Sequence, residues 1–237
     1  MFPQMTGAYD RAITVFNPEG RLLQVEYAVT ATKQTPIAMG IRCQDGVVLM
    51  ALRMIVSPLT DPTEKISKVD EHVGAIAAGL MGDGMVLIDR CRLDAQIFRL
   101  TYNDIPPVKY LTKKIAEYKQ LHTLYAGSRP FGVMIILGGV DDRPQLFQTH
   151  PGGAYFSYKV AVVGEGKEKA IEFFKENYKE ELKMKDAIVL GLKAIQIASG
   201  EKPSSDIIEI AVISMADKKF RKLGKEEIES FISKVEE

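Results

Sequence analysis

The stretch that decides the fold runs Tyr9-Asp10-Arg11, then Asn17-Pro18-Glu19-Gly20, then Gln24-Val25-Glu26-Tyr27-Ala28. Its middle part is a strong turn signal, because proline presets φ and glycine tolerates positive φ. The apolar spacing after the turn predicts a short helix within residues 19–34, and Pro36 ends it. Residues 1–12 form a leading segment of small, polar and mixed residues. The stretch therefore predicts a leading segment, a rigid turn and a helix, in that order.

The bulk composition is that of an ordinary globular protein. The chain has 237 residues, of which 46% are hydrophobic and 26% are charged, so it can bury a substantial core. Its 31 basic and 31 acidic residues cancel. A balanced charge gives no general attraction to nucleic acid or to a membrane surface, and we expect neither as a partner.

The sequence features that bear on cellular location lead us to expect a cytoplasmic protein. The N-terminus lacks a basic region followed by an apolar run, and no stretch is apolar for long enough to span a bilayer. The two cysteines, Cys43 and Cys91, have neither metal-type nor Cys-x-x-Cys spacing. We expect both to be buried free thiols, which suits a reducing compartment.

Hydrophobic periodicity predicts strands and helices in alternating groups. A hairpin over Ile37 to Met50 turns at Gln44-Asp45-Gly46, and Gly79 to Gly84 forms a glycine-rich bend. Further strands are predicted at Ile55-Val56, Gly74–Ala78, Phe131–Val140, Gln145–Thr149, Tyr155–Val163 and Ile207–Met215. Helices are predicted at Met85–Tyr102, Val108–Tyr125, Lys167–Asn177, Met184–Ser199 and Lys225–Glu237. This order indicates an α+β fold, a sandwich of two sheets with helices on both faces, and residues 1–237 are predicted to form one domain.

Several different short motifs follow the opening stretch, in a fixed order along nearly the whole chain. They are Asp45-Gly46-Val47-Val48-Leu49, Glu64-Lys65-Ile66, Gly79-Leu80, Leu87-Ile88-Asp89-Arg90, Arg129-Pro130-Phe131-Gly132-Val133, Pro151-Gly152-Gly153 and Gly164-Glu165-Gly166. Each is weak alone, but the ordered set resembles the α-type proteasome subunits, in particular the archaeal branch. The resemblance implies an N-terminal-nucleophile hydrolase fold, a four-layer α-β-β-α sandwich. It also implies a non-catalytic subunit of heptameric outer rings that stack on rings of catalytic β subunits.

The resemblance assigns residues to a gate and to a docking pocket. In the family, the positions of Tyr9, Asp10, Pro18 and Tyr27 form a cluster between neighbouring subunits that holds the gate open, and phenols can hydrogen-bond to a carboxylate. Lys65 matches the lysine that pairs with the C-terminal carboxylate of ATPase activators, and Glu26 and Gly79 match other residues of that pocket. A lysine suits a free carboxylate, and a glycine allows close backbone approach.

A third set of residues matches the family's pore annulus. It comprises Tyr125, Ala126, Gly127 and Ser128, in the loop before Arg129-Pro130. A narrow ring of backbone and small side chains admits only unfolded chains, so unfolded polypeptide is the expected substrate in transit. The alternative is an ordinary loop between a helix and a strand.

Catalysis on this chain is not expected. The β-type relatives use an N-terminal threonine whose own amine can act as the base. That position falls here on Pro36, or on Thr35 if the register shifts by one residue. The supporting acidic and basic positions fall near Leu52 and Met54, and the expected lysine is missing near Leu59. A self-processing hydrolase with Thr35 as nucleophile, and a ring-forming binding paralog, remain the alternatives.

We expect neither a metal nor a cofactor. His72, His122 and His150 are widely spaced, and Gly164-Glu165-Gly166 lacks the rest of a phosphate-binding loop. Several positions also depart from the usual α-type pattern, among them Met85, Leu52, Met54, the stretch Val29–Thr32 and a shortened loop before Glu64. These positions are expected near subunit contacts or near the activator pocket, so a specialised paralog in mixed rings is a second form of the same hypothesis.

Overall fold

Ten strands and six helices follow each other in the structure, a computed structural model that describes residues 12–53, 59–60 and 64–235. The strands are β1 (Ala38–Cys43), β2 (Gly46–Leu52), β3 (Ile66–Asp70), β4 (Val73–Gly79), β5 (Val133–Val140), β6 (Pro144–Thr149), β7 (Tyr155–Ser157), β8 (Val160–Val163), β9 (Ile208–Ser214) and β10 (Phe220–Lys222). The helices are α1 (Leu23–Lys33), α2 (Met81–Tyr102), α3 (Val108–Leu124), α4 (Lys167–Asn177), α5 (Met184–Ser199) and α6 (Lys225–Ile232). A single 3-10 turn, Ser233–Val235, follows α6.

The strands form two antiparallel sheets of five. The first has the order β10-β9-β2-β1-β8 and the second the order β3-β4-β5-β6-β7. The sheets approach closely at Gly40, where an added Cβ would lie 2.5 Å from Leu146 Cδ1. A larger residue there would push the sheets apart.

Successive side chains of a strand point to opposite faces of the sheet. Because both faces of each sheet are covered, the two sets of side chains pack in two different cores. In β2, Val47, Leu49 and Ala51 lie between the sheets, whereas Val48 and Met50 pack in the outer core that holds α4, α5 and α6. The helices α2 and α3 cover the second sheet through residues such as Leu87 and Leu111. The predicted α+β sandwich of four layers, α-β-β-α, is confirmed.

Several predicted elements are confirmed at their bounds. Helices α4 and α5 match the prediction at both ends, and the hairpin of β1 and β2 turns at Gln44-Asp45. On the exposed face of α2, Asp89 and Arg92 form an i,i+3 ion pair at 2.8 Å. Cys43 and Cys91 are buried free thiols, as predicted, and burial raises the pKa of each to about 12.

Two helices differ from their predicted starts. The first helix was predicted within residues 19–34 and runs there from Leu23 to Lys33, because the Asn17–Gly20 turn occupies the preceding residues. The bend predicted for Gly79–Gly84 is largely helix, since α2 already begins at Met81. An added Cβ at Gly84 would lie 2.7 Å from Ala77 Cβ, so this glycine lets α2 pack closely on β4.

The strand predicted for Tyr155–Val163 is in fact two strands in different sheets. Its first part, β7, pairs with β6, and its second part, β8, pairs with β1. Between them, Tyr158 N–H donates to Leu146 O at 2.9 Å and Lys159 O accepts from Arg42 N–H at 2.9 Å. The chain therefore crosses from one sheet to the other at Tyr158-Lys159.

Other differences concern short elements. Strands β3 and β10 were not predicted, and the final helix ends at Ile232, before the 3-10 turn, rather than at Glu237. The strand predicted at Ile55-Val56 lies outside the described residues. No helix among the described residues has the length and apolar character needed to cross a membrane.

One buried lysine ties α3 to the second sheet. Lys119 is fully buried, and its Nζ donates to Val133 O and to Thr149 Oγ1, both at 2.8 Å. Burial lowers the pKa of Lys119 to about 7. These bonds fix the helix that leads into the loop at Tyr125.

Candidate functional site

The turn before α1 is held by its own side chain. Asn17 Oδ1 accepts from the backbone N–H of Glu19 at 3.1 Å and of Arg21 at 2.8 Å. Gly20 has a φ of +76°, which only glycine adopts readily. Pro18 therefore sits in a fixed, exposed turn, whereas Tyr9 and Asp10 lie outside the described residues.

Helix α1 presents Tyr27 at the surface. The Tyr27 side chain is 51% exposed, one residue after Glu26, whose carboxylate pairs with Arg21 at 3.3 Å. Glu26 lines a groove of about 610 Å³ between the turn and α1, together with Phe16 and His150. Pro18 and Tyr27 are thus both exposed, one in the turn and one in the helix that follows it.

The threonines in the second half of α1 bond to carbonyls of the same helix. Thr30 Oγ1 donates to Glu26 O at 3.0 Å, and Thr32 Oγ1 donates to Val29 O at 2.7 Å. Such bonds satisfy the hydroxyls, and the helix continues to Lys33.

Lys65 is buried directly before β3, with 4% of its surface exposed. Its Nζ donates to Pro36 O at 2.9 Å, and its backbone N–H donates to Glu209 Oε2 at 3.0 Å. Burial lowers the pKa of Lys65 to about 8, although Glu209 and Glu165 oppose this shift. Lys65 therefore carries its charge at neutral pH and loses it in mild alkali.

A cavity of about 340 Å³ opens beside Lys65. It is lined among others by Met81 and Met85 of α2 and by Arg92. Neither Glu26 nor Gly79 lines this cavity, so the three predicted pocket residues do not share it within the described part of one chain. The prediction placed that pocket between subunits, and it stays a prediction.

Gly79 needs to be glycine for a local reason. Its φ is +135°, and an added Cβ would lie 2.1 Å from Gly132 O. This places the end of β4 directly against the segment that follows the loop at Tyr125.

Glu209 was missed by the sequence reasoning. It is 2% exposed in the apolar strand β9, and it contacts Lys222 Nζ at 2.7 Å and Arg53 Nε at 3.7 Å as well as the Lys65 backbone. The available signal was one acidic residue inside the run Ile207–Val212. This carboxylate connects the first sheet to Lys65, the residue that precedes β3 of the second sheet.

The position of the β-type nucleophile holds no hydroxyl nucleophile. Pro36 lacks a hydroxyl, and Thr35 Oγ1 donates to Thr32 O at 3.1 Å. The expectation that a lysine is missing here was wrong, because Lys65 reaches Pro36 from a position six residues beyond Leu59 in the sequence. Leu59 itself is 96% exposed, Leu52 ends β2, and Met54 lies outside the described residues.

The predicted annulus loop projects from the end of α3. Tyr125 is 64% exposed, Ala126 and Gly127 are also exposed, and Ser128 is half-buried. Gly127 has a φ of +93° with open space around its Cβ position. The loop is therefore free on its outer side to border an opening.

Comparison with known proteins agrees with this arrangement. The family model of the proteasome subunit matches residues 32–213, and the N-terminal signature of the A-type proteasome subunit matches residues 9–31. Proteasome subunit α of Pyrococcus abyssi is 47% identical over 229 residues, which cover 96% of this chain and 88% of that protein. The Methanosarcina acetivorans protein of the same name is 45% identical, with 99% of this chain and 96% of that protein covered. The chain belongs to the proteasome subunit family, as an α-type member.

Proposed function

We propose that the chain builds the outer ring of a cytoplasmic proteasome core, where it gates the pore and docks ATPase activators. Proteolysis takes place on partner β subunits with an N-terminal threonine, and unfolded polypeptide passes through the ring of α subunits. The α-type N-terminal signature carries this proposal, together with the fixed turn at Pro18 and the exposed Tyr27 in the helix that follows.

The gate assignment rests on rigidity and position. A turn held by Asn17 and Gly20 moves as one rigid body when a neighbouring residue shifts, whereas a flexible loop would deform instead. Tyr9, Asp10, Pro18 and Tyr27 form the gate cluster between neighbouring subunits, where two phenols and a carboxylate can hydrogen-bond. The leading segment, residues 1–12, then closes or opens the pore.

The docking assignment rests on the hydrogen-bond donors of the Lys65 ammonium group. Among the described residues, Pro36 O is the acceptor of Lys65 Nζ, and an ammonium carries three donors. Capacity therefore remains for the C-terminal carboxylate of an activator tail, and the adjacent cavity has an apolar lining from Met81 and Met85. A neighbouring subunit supplies the rest of the pocket, with Glu26 and Gly79 among the expected residues.

Deleting residues 2–12 tests the gating proposal. Particles assembled from this variant with β subunits are expected to hydrolyse a small fluorogenic peptide several times faster than the parent particles, because the leading segment no longer obstructs entry. Deletion of residues 236–237, at the other end of the chain, is the control and should leave the rate unchanged. An unchanged rate in the first variant, in particles of normal shape, would refute gating by this segment.

A further inference from the structure

The base of the loop Tyr125–Ser128 is tied to the first turn of α2 by one carboxylate. Arg129 Nη1 donates to Asp83 Oδ2 and Arg129 Nη2 donates to Asp83 Oδ1, both at 2.7 Å. The backbone N–H of Gly132 donates to Asp83 Oδ2 at 2.8 Å. Such fork-to-fork pairing fixes the relative orientation of the two groups as well as their distance.

Neighbouring contacts make this base rigid on both sides. Leu80 N–H donates to Gly132 O at 2.9 Å, so the backbone is also joined to the residue before α2. Phe131 is buried, and its ring lies 4.4 Å from that of His122 and 5.6 Å from that of Tyr118, both in α3. The residues after the loop are thus clamped between the start of α2 and the end of α3.

The carboxylate stays ionised in this position. Burial alone would raise the pKa of Asp83, but the hydrogen bonds from Arg129 and from the Gly132 N–H hold that pKa below its usual range. The first turn of a helix also favours a negative charge. The Asp83 side chain is 12% exposed and that of Arg129 is 57% exposed, so the pair is anchored at its acidic end.

We propose that Asp83 and Arg129 are positioning residues that hold the loop Tyr125–Ser128 at the edge of the pore and so set the size of chain that can pass. This inference rests on the proposed function, in which that loop forms the pore annulus. The pair touches no substrate. It acts by fixing the base from which the exposed loop projects.

The test uses particles assembled with β subunits from chains that also lack residues 2–12, so that the leading segment does not limit entry. Two rates are measured, that for a small fluorogenic peptide and that for an unfolded protein carrying a bulky label. In Arg129→Ala the ratio of the second rate to the first is expected to rise about fivefold, since loss of a partly exposed ion pair shifts a local equilibrium by roughly that factor. Arg129→Lys, which keeps the charge but not the fork, should give a smaller rise.

Arg221→Ala is a matched control. Arg221 is also 57% exposed in its side chain and also donates two bonds to one carboxylate, that of Glu227, at 2.8 and 2.7 Å. It lies in β10, away from the loop, and the ratio should not change. An equal rise in this control would overturn the proposal, because it would reflect general loosening of the subunit.

The outcomes separate this inference from the proposed function. If Tyr125→Ala alters the ratio while Arg129→Ala and Asp83→Asn leave it unchanged, the loop borders the pore but the pair does not position it, and the inference falls. If none of the three variants alters the ratio, the annulus assignment falls with it. Should Arg129→Ala fail to assemble, Asp83→Asn gives the same readout, because its amide oxygen can still accept from Gly132 and only the charged pair is lost.

Discussion

Replacement of Glu209 with alanine is expected to lower the free energy of unfolding of this chain by about 2–3 kcal/mol. The carboxylate is almost completely buried and faces Lys222 at 2.7 Å, Arg53 at 3.7 Å and the Lys65 N–H at 3.0 Å. Its removal takes away the charge that faces Arg53, one of the two carboxylates that face Lys222, and the acceptor of the Lys65 N–H, which is then left buried and unpaired.

Glu64→Ala is the matched control for this prediction. Glu64 pairs with the same Lys222 Nζ at 2.8 Å, but its side chain is 67% exposed. Water replaces such a partner, so the loss should stay within about 1 kcal/mol. Urea unfolding of both purified variants measures the difference, and equal losses would show that Glu209 is not the centre of this cluster.

The second large effect concerns activator docking. Lys65→Ala is expected to weaken binding of a peptide with the C-terminal sequence of an activator ATPase by about 30-fold or more, which corresponds to about 2 kcal/mol or more for one partner of a buried charge pair. Lys68→Ala is the control, because Lys68 lies three residues after Lys65, within β3, and pairs with Glu71 at the surface. The peptide is titrated against assembled particles.

The same assay has a pH dependence with a defined sign. The pKa of Lys65 is lowered to about 8, whereas the peptide carboxylate is ionised throughout the neutral range. Binding should therefore be strongest below that pH and should weaken as the pH rises through about 8. Affinity that is unchanged in Lys65→Ala, or that does not fall in mild alkali, would remove Lys65 from the docking pocket.

Local patterns were sufficient for long elements and insufficient for short ones. Helices α4 and α5 could be bounded from periodicity because each contains several apolar turns between clear stop signals. Strands β7 and β10 have three residues each, too few for any period to emerge. The crossing at Tyr158-Lys159 depends on partners in two different sheets, which no local window contains.

The candidate site also has one part that local sequence predicts and another part that depends on residues distant in the sequence. The turn at Pro18 and Gly20 can be predicted from four consecutive residues, and hydrogen bonds within those residues and their neighbours hold it in the structure. Lys65, in contrast, is defined by Pro36 and Glu209, which lie 29 and 144 residues away in the sequence. Likewise, the partner of Arg129 is 46 residues away, so neither environment could be derived without the fold.

Electron microscopy of the purified chain, alone and co-expressed with a β subunit from the same source, is the most direct test of the α-ring proposal. We expect seven-fold rings that stack with β rings into a four-ring barrel. Rings that form only with a second α chain present would identify a specialised paralog of mixed rings. Monomers in both samples would contradict ring formation, and gating and docking would fall with it.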